Sequence, residues 1–154
     1  MIIIRKAIPS DEHILKEILQ KASLFSSKSN DYQKNMMVIE TEDSLAGCGG
    51  VDIIEDIAIL KYLYILPEYR GQGFGDGLTR ALINYVDRRN IKKVYLLLGK
   101  SMDYFKRFGF KTISKEDVKE KFAAMENHQI DPTKFPYIME LDVEEFFNNR
   151  QCHC

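Results

Sequence analysis

Four glycines stand at alternate positions, Gly71, Gly73, Gly75 and Gly77, directly after Arg70 and an apolar run. Alternating glycines permit positive φ and carry no Cβ, so successive backbone N–H groups can converge on one anion. Leu78, Ala81, Leu82, Tyr85 and Val86 follow at helical spacing. The start of that helix adds unpaired N–H groups and the positive end of its dipole. The chemistry implied is a phosphate cradle built from main chain, with Arg70 placing a permanent charge at the rim. Two commoner nucleotide motifs are excluded. The string Gly-x-x-x-x-Gly-Lys-Ser/Thr is absent, and Gly-x-Gly-x-x-Gly fails at Asp76 counted from Gly71 and at Leu78 counted from Gly73.

Other residues carry chemistry with competing structural readings. Glu55 and Asp56 could accept a proton from an amine, or be a solvated turn between Ile54 and Ile57. Lys61 interrupts an apolar run; it either snorkels to an edge or meets an acidic group on a substrate. His13 reads as an exposed helix residue, and Cys48, between glycines, as a small buried hydrophobe. The ending Cys152-His153-Cys154 does not converge on one metal ion, so no metal site is expected and residues 146–154 read as a flexible tail.

These groups need elements to hold them. Ile2–Arg5 reads as a first strand, and Ser10 caps a helix carrying Ile14, Leu15, Ile18, Leu19 and Ala22. Met36–Glu40 and Leu45–Ile54 read as two strands joined by a hairpin. Ile57–Leu66 is apolar on both faces, as in a strand covered on both sides, and ends at Pro67. After the glycine turn a helix reaches about Asn90, and Val94–Leu98 is a strand. Ser101 caps a brief helix through Phe108 that Gly109 closes. A strand near Phe110–Ile113, a charged helix near Lys115–Asn127 and a strand over Pro136–Val143 complete an α+β domain over residues 1–145, with a mostly antiparallel sheet.

Composition narrows the function classes. The 154 residues fit one domain, 45% of them are hydrophobic, and 22 basic against 23 acidic side chains leave a net charge of -1. That balance lacks the basic excess of a nucleic-acid binder, and no apolar run has membrane-spanning length. The N-terminus lacks the layout of a signal peptide, so a cytoplasmic location is expected.

The remaining motif, Arg-x-x-Gly-x-Gly, sits in the string from Leu63 to Leu78, which resembles the acetyl-CoA-binding segment of GNAT N-acetyltransferases at nearly every position. A second anchor, Tyr104-Phe105-Lys106-Arg107-Phe108-Gly109-Phe110, is similar to the later helix of that family, at the family's spacing from the first. The resemblance covers roughly Ile39 to Phe110. It implies a mixed sheet of six to seven strands with helices on both faces and a V-shaped splay between strands 4 and 5. It also implies acetyl-CoA as co-substrate, with the main chain of Leu63, Tyr64 and Ile65 pairing with the pantetheine arm. Arg70, Gly71, Gln72, Gly73, Phe74, Gly75 and Asp76 would hold the pyrophosphate, and Phe105 joins the cofactor-binding set.

The resemblance departs at one position. Many members protonate the departing thiolate with the tyrosine of Tyr-x-x-x-Gly-Phe, and counting back from Gly109-Phe110 that position is Phe105. Tyr104 could be re-aimed, Tyr62 or Tyr64 could serve, or solvent could protonate a good leaving group. The last is favoured, because positioning alone carries much of the acceleration in a direct transfer. The expected function is acetyl transfer to a primary amine of a small, amino-acid-like molecule. A non-catalytic acyl-CoA-binding or regulatory domain is the alternative. A homodimer is compatible with the Phe146-Phe147 end, dimerisation being common in the family.

Overall fold

The computed structural model describes residues 1–22, 35–100, 102–123 and 134–149. Among these residues the strands are β1 (Ile3–Lys6), β2 (Met36–Glu40), β3 (Leu45–Ile54), β4 (Ile57–Ile65), β5 (Lys93–Leu98), β6 (Lys111–Thr112) and β7 (Tyr137–Asp142). The α-helices among them are α1 (Glu12–Ala22), α2 (Phe74–Asp87), α3 (Lys115–Ala123) and α4 (Val143–Asn149). Strand order is β1-β2-β3-β4-β5-β7-β6, with β4 and β5 a parallel pair and β1-β2, β2-β3, β5-β7 and β6-β7 antiparallel. The mixed, mostly antiparallel sheet expected from the sequence is thus present. The parallel ladder joins Ile57–Ile59 to Lys93–Tyr95, and both strands run on past it.

The chain forms two compact units, one of Met1–Asp52 and Leu60–Tyr85, the other of Ile53–Ile59 and Val86–Cys154. In the first unit α1 buries Leu15 and Ile18 against Val38, Cys48 and Tyr62. Successive strand residues point to opposite faces, and the residue after Cys48 confirms it: a Cβ on Gly49 would meet Leu82 and Leu78 of α2 at 2.7 and 3.2 Å. Helices therefore cover both faces of β3. Leu78 and Leu82 are almost fully buried, each contributing about 2 kcal/mol of apolar burial.

The start of the first helix differs from the sequence reading. A 3-10 turn over Pro9–Asp11 precedes α1, and the Asp11 carboxylate, not Ser10, accepts the Ile8 N–H at 2.9 Å. Arg5 of β1 grips both Asp11 oxygens, at 2.8 and 3.0 Å, and reaches Glu40 of β2 at 2.8 Å. This pairing draws the local choice from Ser10 to Asp11, because a buried carboxylate next to a guanidinium can satisfy cap and charge together.

In the second unit β5 and β7 hold the core, with Tyr95, Leu96, Leu97 and Ile138 nearly or fully buried. Asp103–Phe108 is a 3-10 segment rather than an α-helix, closed by Gly109 at φ +103°. Residues 146–149, read as tail from the sequence, are helical in α4, and Phe146 is buried. Ser101, Asn127, and Cys152-His153-Cys154 lie outside the described residues.

Candidate functional site

The glycine-rich turn belongs to the first unit and begins where β4 ends. A 3-10 turn, Pro67–Tyr69, leads to Arg70 in extended conformation, and Gly71 and Gly73 both take φ +81°. A Cβ at either would meet nothing within 4 Å, so these glycines serve backbone conformation and leave the space beside them open. Phe74 starts α2, and Gly77 N–H donates to Gly73 O at 3.1 Å. The N–H groups of Phe74 and Gly75 therefore precede any carbonyl four residues back within the helix. Gly77 has a different reason to be small, since its Cβ would press on Ile4 at 3.3 Å. Thr79 is buried in the first turns and donates its hydroxyl to Gly75 O at 2.8 Å. Open space, two left-handed glycines and a helix start together fit a diphosphate.

The edge leading into the turn follows from strand geometry. Leu66 N–H donates to Ala46 O at 2.8 Å, and a Cβ on Gly47 would lie 3.0 Å from Ile65 Cα. Leu66 is thus in a hydrogen-bonded pair with β3, and Ile65 in the close, non-bonded position. By alternation the main-chain groups of Leu63 and Ile65 point to the other edge of β4, while those of Tyr64 point to β3. Arg70 Nε donates to Ile65 O at 2.8 Å, and its guanidinium lies 5.2 Å from the Tyr64 ring centroid. Arg70 is therefore more than a rim charge: it closes the end of that edge. Leu63, Tyr64 and Ile65 are partly exposed, unlike the buried residues Ile57–Tyr62 earlier in the strand.

The candidate acid and base residues separate. Glu55 and Asp56 are exposed turn residues, Glu55 at φ +54°, which is the solvated-turn reading. They precede Ile57 of β4 and belong to the second unit, whereas the glycine turn belongs to the first. Tyr62 is buried, and burial first, then the charge of Asp52, raises its phenol above the ordinary value. In the second unit Phe105 is fully buried, edge-on to Tyr104 and Phe110 at 5.1 and 5.7 Å. Core packing is what the structure shows for it. Tyr104 is half-buried, with the Arg107 guanidinium 4.8 Å from its ring. His13 is exposed on α1, and Cys48 is buried, which pushes its thiol up to about 12.

Lys61 neither snorkels freely nor stands alone. It is 4% exposed, its ammonium lies 3.2 Å from Asp52 of β3, and the Tyr62 ring lies beneath it at 5.3 Å. Sequence reading missed Asp52, although an acidic residue in an apolar strand, with Lys61 interrupting the next strand, was a legible sign. It also missed a polar cluster in the second unit. Tyr95 donates to Glu140 at 2.7 Å, and Glu140 is paired with Lys121 of α3 and, at 3.6 Å, with Lys93. Burial pushes the Glu140 carboxyl up, but the hydrogen bonds from Lys121 and Tyr95 outweigh it and hold the group below its ordinary value. Phe122 packs edge-on against Tyr95 at 5.3 Å, so α3 is fastened to β5 and β7 by both ring and charge.

Comparison with known proteins agrees with this geometry. The model of the Acetyltransferase (GNAT) family matches residues 6–110. A Bacillus subtilis protein assigned as a [ribosomal protein bS18]-alanine N-acetyltransferase is 29% identical over 93 residues, which are 58% of this chain and 62% of that protein. The amino-acid acetyltransferase of Aeromonas salmonicida is 27% identical over 94 residues, 60% of this chain and 21% of the relative. The chain thus matches less than two thirds of the length of either. Among solved structures, N-acetylglutamate synthase from Neisseria gonorrhoeae, complexed with coenzyme A and N-acetyl-glutamate, superposes with a TM-score of 0.69. Its identity is 18%, and the match covers 93% of this chain and 35% of that one, a likeness of fold.

Proposed function

Because the chain belongs to the GNAT acetyltransferase family, we propose that it transfers an acetyl group from acetyl-CoA to a primary amine of a small, amino-acid-like molecule, by direct attack. The observation that carries this is the turn itself: two glycines at φ +81° with open space beside them, leading straight into the start of α2. Main-chain N–H groups between Gly71 and Asp76 bind the pyrophosphate, and Arg70 holds the turn to the end of β4. The outward main-chain groups of Leu63 and Ile65 pair with the pantetheine arm as an added strand. An amino-acid acceptor is supported by the amino-acid acetyltransferase and N-acetylglutamate synthase likenesses.

Transfer requires a free amine, donors for the developing oxyanion, and a proton for the thiolate. Phe105 cannot give that proton, and its full burial suits packing rather than acid chemistry. Solvent protonation of the thiolate remains the favoured route. Glu55 and Asp56, both exposed in the turn before β4, are the candidate bases for the amine. A second reading, binding of acyl-CoA without catalysis, draws on the same Phe105. Calorimetry with acetyl-CoA, followed by thiol release with the proteinogenic amino acids, polyamines, aminoglycosides and an alanine-initiated peptide, separates the two. Binding with release on an amino acid is expected. Binding with no release across the panel favours the second reading, and no binding overturns both.

A further inference from the structure

From Pro67 to Gly73 every residue is exposed except Tyr69, which is half-buried. Its ring lies 6.3 Å from that of Phe74, the first residue of α2, with the two planes tilted by 31°. The rings meet although the exposed turn from Arg70 to Gly73 stands between them in sequence. The loop that carries Gly71 and Gly73 therefore rises from an aromatic base. Phe74 is half-buried too, so the pair keeps part of its surface in contact with water. Packing explains why two rings meet, and leaves open why aromatic residues stand at the foot of an exposed polar turn.

Place on the turn gives the pair a partner. Neighbouring side chains part here: Arg70 is turned back to Ile65 O and the Tyr64 ring at the end of β4, while Tyr69 is turned forward to Phe74. Coenzyme A is a linear molecule in which arm, diphosphate and nucleoside follow one another. An arm along Leu63 and Ile65 enters the turn at its Arg70 end, and a diphosphate beside Gly71 and Gly73 fills the open space there. The nucleoside then leaves at the other end, where α2 opens with Phe74. Tyr69 Cα is at most about 8 Å from Gly71 Cα, two consecutive Cα steps. One ribose separates the base from the diphosphate, so the base has the reach. All of these residues lie in the first unit.

We infer that Tyr69, with Phe74 behind it, is a stacking platform for the purine base of the acyl donor. This rests on the acetyl-transfer reading given above and adds a second hold on the coenzyme. The main chain of the turn grips the diphosphate, and a ring face grips the nucleotide end. A tilted, offset pair leaves ring surface for a third ring, which a closed face-to-face pair would not. Stacking a base on an aromatic side chain is worth about 5- to 150-fold in affinity. It depends on the ring and not on the phenol hydroxyl, so phenylalanine at position 69 serves as well as tyrosine.

The test uses the full chain and calorimetry with two donors. One is acetyl-CoA; the other is S-acetyl-phosphopantetheine, which keeps the arm and one phosphate and has no base. Tyr69→Leu, which retains an apolar contact for Phe74, is expected to weaken acetyl-CoA by at least about fivefold and to leave S-acetyl-phosphopantetheine within about twofold of the parent. Tyr69→Phe should match the parent with both donors. Etheno-coenzyme A reads the stack itself, because a fluorescent base lying on an aromatic ring loses emission. Its emission should fall on binding to the parent and to Tyr69→Phe, and stay near the free value at saturation with Tyr69→Leu. An equal loss of affinity for both donors in Tyr69→Leu means that the ring only shapes the turn, and overturns the inference. So does an affinity for acetyl-CoA within about twofold of the parent in Tyr69→Leu, or an unquenched base on the parent. Failure of the parent to bind acetyl-CoA overturns the acetyl-transfer reading itself, so the two failures are distinguishable.

Discussion

A Cβ added at Gly71 or Gly73 would touch nothing, yet both residues hold φ at +81°. Substitution there is a question of backbone alone. Gly73→Ala should cost about 1–2 kcal/mol for the left-handed conformation, read as a melting temperature lower by about 3–6 °C. It should weaken acetyl-CoA by at least tenfold in a calorimetric titration, because a relaxed φ turns the next N–H away. Unchanged affinity would count against a backbone cradle. Tyr104→Phe should change kcat less than tenfold; a loss of several orders of magnitude with coenzyme binding intact would restore that hydroxyl as an acid. The glycines were legible because only their residue type tolerates such a φ. The contact of Arg70 with Ile65 O and Tyr64 was not, since a long side chain's partner depends on how the turn folds back. The meaning of Lys61 was half legible: its oddness in an apolar strand was plain, and its partner depended on the β3–β4 pairing.

At the level of elements, capping and fastening govern what each segment can do. Asp11 accepts the Ile8 N–H and two bonds from Arg5, and the Arg5 hydrogen bonds lead the causes that hold its carboxyl below the ordinary value. A depressed folded-state value contributes stability above the unfolded carboxylate value and loses it as pH falls through the folded one. Asp11→Asn should therefore lower stability by about 1 kcal/mol or more at pH 7. Urea unfolding should show that difference narrowing below about pH 4. A gap of constant size down to pH 2 would remove the ionic part. For α3, Phe122→Ala should cost about 3–5 kcal/mol by urea unfolding, since that ring is buried against Tyr95. Strands β2 and β3 were read at their observed ends because apolar alternation and turn residues mark them. The 3-10 form of Asp103–Phe108 was not, because so short a helical segment looks alike in sequence at either pitch.

At the scale of the molecule, a ligand that binds the folded chain raises its stability by mass action. Acetyl-CoA at 100 times its dissociation constant should add about 2.7 kcal/mol, or about 5–11 °C in the melting temperature. A flat melt across coenzyme concentrations would weigh against the proposed donor. Fold class was legible in the order of apolar runs, which gave the mostly antiparallel sheet that is observed. Cys48 has a use at this scale too. Its thiol is fully buried under α1, its value is pushed up to about 12, and a reagent reaches it only when the first unit opens. With Cys152 and Cys154 changed to serine, alkylation of Cys48 becomes a stopwatch for that opening. Native protein should label at the rate of its own breathing, slower when coenzyme is bound, and the clock is already wound into the sequence.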